Sequence, residues 1–392
     1  MDTLLDQAIR QFAGGGNHHP EPAGLVLSLN PTEHTRRDLA KQGYTRLRDF
    51  VALPSPASPR WLFPLGRGPS ALAGLQVYKP YAKKARIVKR LFTTLTATRF
   101  QRLLGHRVLI GSREPSPLED LVREITGETQ PEFALSLSTE KQFRKLTVQA
   151  MRPNGQILGY IKLPLTDAAV ERVRHEADTL NRLGAFPVLR PHLPQVLCSG
   201  PWGDGYVLFQ SGGPPQPGPV QLDCHCEEFL ERLSTVHEAK KPGRLLWEEV
   251  AGGWRKLEPS LASDWRALGE AALAKAKREL EGVRLTYGVS HGDFAPWNTR
   301  LGEHGLYVFD WESASWEAPA LWDAFHFKTQ VAALLKKHNH LDISPDRLLG
   351  ARASFLLYLL TSACRLIGEE SPAQGVGLEY RHQLLAKQVG GC

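Results

Sequence analysis

The chain has no run approaching the roughly 18 consecutive apolar residues that a membrane-spanning helix requires, which excludes a helical membrane protein. It also lacks the basic start and apolar follow-on of a secretory leader. MDTLLDQAIRQFAGGG places acids where such a leader needs lysine or arginine, so the expectation is a cytoplasmic protein. Cysteine is scarce: the five residues Cys198, Cys224, Cys226, Cys364 and Cys392 are odd in number and scattered, which fits reduced thiols rather than a disulfide framework. No residue class dominates, with 42% apolar and 23% charged residues, which excludes fibrous and disordered classes. Acids are missing locally. From Tyr78 to Arg107 the chain reads YKPYAKKARIVKRLFTTLTATRFQRLLGHR, strongly basic within a net charge of only +7. Such a patch suits phosphate, an anionic substrate, nucleic acid or a membrane surface; the plainer expectation is a solvated basic helix face beside a buried apolar stripe.

What is present divides into three regions. Residues 1–125 are punctuated by Pro- and Gly-rich stretches, PSPASPRW at 54–61 and REPSPLED at 113–120. Within them, Ile87, Leu91 and Leu95 recur at four-residue spacing with Val88 and Phe92 alongside, so 82–104 is expected to form an amphipathic basic helix. LGRGPSALAG at 65–74 faintly mimics a dinucleotide fingerprint but lacks a preceding strand and a suitably placed acid, so a loop is expected there. Residues 126–212 hold five strand-like segments (133–138, 145–153, 156–164, 194–200 and 206–212), with one helix after the third, capped by Thr166 or Asp167. After the GGPPQPGP linker at 212–219, residues 213–392 become mainly helical, with clear helical periodicity at 226–238, 263–282 and 346–367.

Chemistry concentrates between 288 and 312. Phosphoryl transfer needs a cation against the triphosphate, oxygen ligands for that cation, and a group to orient the acceptor hydroxyl. HGDFAPWN sets His291, Asp293 and Asn298 in one loop, and Asp310 follows twelve residues after Asn298 at the end of the apolar run LYVF. A short strand, a turn using Gly302 and Gly305, and a returning strand would bring Asn298 and Asp310 together. Asp293 would then accept a hydrogen bond from a substrate hydroxyl.

The pattern H-G-D-x-x-x-x-N followed by hydrophobic-D-W-E resembles the catalytic loop of the aminoglycoside phosphotransferase and choline kinase families, distant relatives of protein kinases. The resemblance implies an α+β, two-lobed protein-kinase-like fold: a five-stranded antiparallel N-lobe (126–212), a mainly helical C-lobe (213–392) and an additional N-terminal region (1–125). It implies Asp293 as catalytic aspartate, Asn298 and Asp310 as Mg²⁺ ligands, and His291 as a support for the loop. Asp323 would anchor the region. Lys162, on the third strand, would hold the α- and β-phosphates of ATP, or of GTP, oriented by Glu176 fourteen residues later, with Glu171 the rival partner. The segment 207–213, with Phe209, would form the adenine-binding hinge. The loop STEKQFRK has no glycine, so Ser138 and Thr139 take the phosphate-loop role instead.

The implied activity is ATP- and Mg²⁺-dependent transfer to a hydroxyl of a small molecule. Its alternative is a kinase-like scaffold recruiting a partner through 1–125. The C-terminal helices are not conspicuously acidic, which counts against an aminoglycoside acceptor. Peripheral contact with an anionic surface through 82–104 is the alternative to the solvated face for the basic helix. Nucleic acid ranks last, because no recognition motif accompanies the charge. Cys224-His225-Cys226 lacks the second ligand pair of a zinc site and is expected to be ordinary packing, as are Trp297, Trp311, Trp316 and Trp322.

Overall fold

The computed structural model describes residues 4–12, 24–66, 68–78, 80, 83–98, 106–138, 142–335, 350–368 and 374–390. The chain forms two compact units, one of Met1–Asn181 with Pro194–Gly213, the other of Arg182–Leu193 with Pro214–Cys392.

In the first unit the chain runs α1 (Leu4–Phe12), β1 (Leu25–Leu29), α2 (Glu33–Lys41), β2 (Arg46–Ser55), β3 (Ser58–Pro64), α3 (Pro69–Gly74), α4 (Lys83–Ala97), β4 (His106–Ser112) and α5 (Pro117–Thr126). It continues through β5 (Glu132–Leu137), β6 (Lys145–Met151), β7 (Ile157–Pro164), α6 (Asp167–Gly184), β8 (Val196–Trp202) and β9 (Gly205–Gln210). The five expected strands are there as β5 to β9. They do not stand alone: all nine strands form one sheet, ordered β1-β4-β2-β3-β5-β6-β7-β9-β8, with every described pairing antiparallel. The seam is β3 against β5, where Trp61 faces Ser136 and Leu62 faces Leu135. Position 125 is therefore no break between compact units, and the N-terminal region extends the sheet rather than standing apart from it.

Alternation along the strands builds both faces. Phe133, Leu135 and Leu137 point into a core shared with Leu146, Val148, Ile161, Leu163 and Phe209, which α1 and α5 cover through Phe12 and Leu118. Phe12 meets Phe133 edge-to-face at 5.1 Å. On the other face Ala134 and Met151 pack against Ala73 of α3. The segment expected to be a loop at 65–74 thus contains a helix: Pro69 opens it, with φ already suited to the first turn. Gly74 is needed because a Cβ there would sit 2.7 Å from Pro64. In α4 the face is also not the expected one. Phe92 and Thr96 are buried, while Ile87, Val88 and Leu91 are exposed; residues 99–105 lie outside the described residues.

The second unit comprises β10 (Gln216–Pro217), α7 (Cys224–Ser234), β11 (Glu238–Pro242), α8 (Gly243–Leu257), α9 (Ser263–Glu279), β12 (Arg284–Ser290), β13 (Thr299–Gly302), β14 (Gly305–Val308), β15 (Ser315–Pro319), α10 (Trp322–Leu334), α11 (Ala351–Gly368) and α12 (Gln374–Gly390). Helices α8 to α12 bury one core around Trp254, Phe355, Leu357, Leu360, Tyr380 and Leu384. Two small antiparallel sheets, β11-β12-β15 and β10-β13-β14, carry the loops of interest. Part of the expected linker is strand: Gln216 and Pro217 pair with Leu301 and Arg300 at a sheet edge, where proline's missing donor costs no ladder bond. Asp223 caps α7 by accepting from the backbone N–H groups of His225 and Cys226, and burial pushes the Cys226 thiol up to about 12. Cys224-His225-Cys226 is thus the first turn of a capped helix.

Glu119 ties the N-terminal strands to α5. Its carboxylate accepts from Arg46 and Arg48 of β2 and from the Ser116 backbone N–H, while Arg48 also donates to the Pro131 carbonyl just before β5. Burial alone would raise the Glu119 carboxyl, but Arg48, the Ser116 hydrogen bond and Arg46 together hold it below its usual value. A depressed folded-state value means its contribution is present above the ordinary carboxylate range and is lost as pH falls through the folded value. Glu119→Gln should cost about 3 kcal/mol in urea unfolding at neutral pH. The gap from wild type should narrow in acid; a variant equal to wild type at neutral pH would contradict this assignment.

Candidate active site

In the first unit, Lys162 lies in mid-β7 between Thr147 of β6 and Leu208 of β9. Its Nζ donates to both oxygens of Glu176, at 2.7 and 2.6 Å, and both residues are buried. Helical spacing explains the pairing. Val173, Ala177 and Leu180 form the buried face of α6, and Glu176 falls on it at three residues from Val173. Glu171 points away, exposed and paired with Arg174 at 2.8 Å, so the rival partner is set aside. Thr166, one of the two expected caps, accepts the Ala169 N–H at the start of α6.

Two other first-unit candidates have structural occupations. The Ser138 hydroxyl accepts from the Lys145 N–H at 2.9 Å and closes the β5–β6 turn, while Thr139 lies outside the described residues. The Phe209 ring is wholly buried, and β9 is paired on both sides at this residue, with Ile161 and with Cys198. Sheet pairing thus occupies β9 on both sides at Phe209. Backbone beyond the ladder begins after Ser211, whose N–H donates to Gln195.

In the second unit, β12 is held on both sides by β11 and β15 and delivers the loop beginning at Ser290. The buried carboxylate of Asp323, in the first turn of α10, accepts from Ser290 Oγ (2.9 Å), the His291 N–H (2.7 Å) and the Gly292 N–H (3.0 Å). This is the anchoring role the resemblance implied. Only glycine suits position 292: its φ is +76° and a Cβ would lie 2.1 Å from the Ser313 carbonyl oxygen.

His291 is wholly buried and packs against Trp311 in a tilted contact, ring centroids 4.6 Å apart. Its Nδ1 accepts the Asp293 N–H, so the proton sits on Nε2, which donates to the Phe309 carbonyl at 3.0 Å. With both nitrogens occupied in holding backbone, His291 supports the loop. The Phe309 N–H in turn donates to the Asn298 carbonyl, so the hairpin of β13 and β14 brings Asn298 beside the lead into Asp310 as expected. Asp310 has φ +71°, one of two non-glycine residues with positive φ among those described. Such backbone strain persists where the surroundings impose it, commonly at functional positions.

Asp293 keeps about 31% of its side chain exposed. Its Oδ2 accepts from Asn298 Nδ2 at 2.9 Å, and its Oδ1 accepts from His326 Nε2 at 2.9 Å. Burial would raise this carboxyl, but the His326 hydrogen bond and the neighbouring His326, Arg365 and His291 outweigh it and hold it low. The sequence reading missed His326. It sits three residues after Asp323 on α10, but its contact with Asp293 spans 33 residues and leaves no spacing signal. Tyr358 donates to its Nδ1 at 3.2 Å, and burial raises that phenol, keeping it a donor. Arg365, also missed, donates to the Gly292 carbonyl and to Ser313 Oγ.

The donor chemistry fits Mg²⁺. Asn298 commits its amide nitrogen to the Asp293 carbonyl and carboxylate, leaving its oxygen as the ligand atom. Asp310 and Glu312 bring carboxylate oxygens within 4.8 Å of each other. An all-oxygen set of this kind suits a hard divalent cation. Glu312, the last residue of the D-W-E motif, was not singled out from sequence.

Residues 160–328 match the model of the phosphotransferase enzyme family. No curated protein matches. Among solved structures, a thermostable mutant of aminoglycoside phosphotransferase APH(4)-Ia in its apo form is 14% identical, with 69% of this chain and 98% of that one covered and a TM-score of 0.48. The same protein in ternary complex with ADP and hygromycin B gives 13%, 70%, 98% and 0.48. The GDP complex of wild-type aminoglycoside 2'-phosphotransferase-IIIa gives 14%, 68%, 97% and 0.45. Among the described residues no helix is long and apolar enough to cross a membrane.

Asp323→Ala leaves three loop donors without their acceptor. It should cost on the order of 3 kcal/mol in urea unfolding, and Asp323→Asn, which keeps one acceptor oxygen, should cost less. Equal stability of all three proteins would refute the anchoring role.

Proposed function

We propose that this protein transfers the γ-phosphate of ATP, with GTP the second choice, to a hydroxyl of a small molecule with the help of Mg²⁺. The observation that carries the proposal is the arrangement of Asp293. Its carboxylate is fixed by two hydrogen bonds, from Asn298 and His326, in a loop locked by a buried Asp323. A group held this way can receive the acceptor hydroxyl's hydrogen bond without reorganising, which is how positioning lowers the barrier to phosphoryl transfer.

Each residue then has a defined task. Asp293 orients the acceptor hydroxyl and takes up its proton as its oxygen bonds to the γ-phosphorus and the bond from that phosphorus to the β,γ-bridging oxygen breaks, releasing ADP. Asn298 and Asp310, assisted by Glu312, would hold Mg²⁺, which when bound neutralises charge on the β- and γ-phosphates. Lys162, kept straight and charged by Glu176, would pair with the α- and β-phosphates. Its burial makes that pair specific, because an isolated buried ammonium would lose its proton. The backbone at 211–213, following the occupied Phe209, is the hinge contact this reading assigns. His326 positions Asp293, and Tyr358 sets the imidazole tautomer that donates.

The test is transfer of label from γ-labelled ATP in the presence of Mg²⁺, scored against a panel of hydroxyl compounds. Asp293→Asn should lower kcat by roughly a hundredfold or more while KM for ATP stays within about twofold, the pattern of an interaction made mainly in the transition state. Asp310→Ala should abolish Mg²⁺-dependent turnover. His326→Leu should lower kcat roughly tenfold with KM unchanged. Full turnover by Asp293→Asn or Asp310→Ala would refute the assignments.

A further inference from the structure

Helix α4 faces outward with the stripe that its sequence spacing would bury. Ile87, Val88 and Leu91 are 65%, 57% and 55% exposed, whereas the helix contacts its own unit through Phe92, 6% exposed, whose ring lies 5.4 Å from that of Phe63. At 100° per residue, Ile87, Val88, Leu91 and the half-buried Leu95 form one continuous band along the helix, and the exposed Arg86 and Arg90 lie together beyond the edge of that band at Ile87. No acid occurs anywhere from Tyr78 to Arg107. Packing against the first unit therefore uses one side of α4 and leaves a second, aliphatic side and a cationic flank in water.

We propose that α4 is an interfacial helix that binds an anionic phospholipid surface. The charge of the segment is complementary to lipid phosphates, and a helix with an aliphatic band beside a basic flank lies in the plane of the headgroup boundary with that band inserted. The aliphatic band separates this occupant from a nucleic acid, which would be met by the charges and would leave Ile87, Val88 and Leu91 in water. The inference does not depend on the phosphotransferase reading, since it concerns no residue assigned to catalysis.

The experiment is co-sedimentation of the full-length protein with vesicles of pure phosphatidylcholine and with equimolar phosphatidylcholine and phosphatidylglycerol. Wild type should partition at least roughly tenfold more strongly onto the anionic vesicles, and raised salt should weaken it. Ile87→Asp with Leu91→Asp should abolish the binding. Arg86→Ala with Arg90→Ala should weaken it while leaving the aliphatic band intact. All four positions are exposed, so unchanged circular dichroism is expected and shows that lost binding is not unfolding. Failure of wild type to sediment with anionic vesicles would overturn the proposal. So would anionic binding that survives the double aspartate substitution, which would assign it to charge alone. A dimer in solution that the aspartate substitutions dissolve, without vesicle binding, would assign the stripe to self-association and equally overturn it.

Discussion

One buried carboxylate organises the chemistry of this protein. Asp323 satisfies three donors from three consecutive residues, Ser290, His291 and Gly292, and so converts the end of β12 into a rigid platform. Donors left without an acceptor in that interior would each cost free energy. From the platform, His291 holds Phe309, Phe309 is tied to Asn298, and the chain reaches Asp310 in a backbone conformation that non-glycine residues rarely adopt.

A second buried charge pair plays the matching part in the first unit. Lys162 and Glu176 come from a strand and a helix and lie fourteen positions apart, and their bidentate contact needs the register of β7 and the phase of α6 to agree. Sheet and helix are each fixed by apolar burial, so the ion pair sits where the core puts it. Most of the tryptophan and cysteine that looked like possible chemistry serves packing. Trp311 lies under His291, and Cys226 starts a capped helix.

The reasons for what could and could not be read from sequence are local. The grouping of the loop residues was legible because His291, Asp293, Asn298 and Asp310 are separated only by one loop and one hairpin. The Lys162–Glu176 pair was legible because helical periodicity favours position 176 over 171 on the buried face. His326, Tyr358 and Arg365 were not, since their relation to Asp293 arises from α10 and α11 packing rather than from spacing. The nine-stranded sheet was illegible for a similar reason. Strands β1 to β4 are joined to the rest through only the short β3–β5 seam, and antiparallel pairing across distant sequence leaves no periodic trace. Helix α4 misled because four-residue spacing marks a stripe but not which side of the helix packs against the rest of its own unit.

The claim that this loop is built for a magnesium nucleotide is tested most directly by the stability of the wild-type protein with ATP, with and without Mg²⁺. A ligand that binds only the folded state, at a hundred times its dissociation constant, adds about 2.7 kcal/mol. The account predicts a shift in the unfolding midpoint that requires ATP and Mg²⁺ together and disappears on chelation. An unchanged midpoint with ATP and with GTP, at any Mg²⁺ concentration, would contradict it.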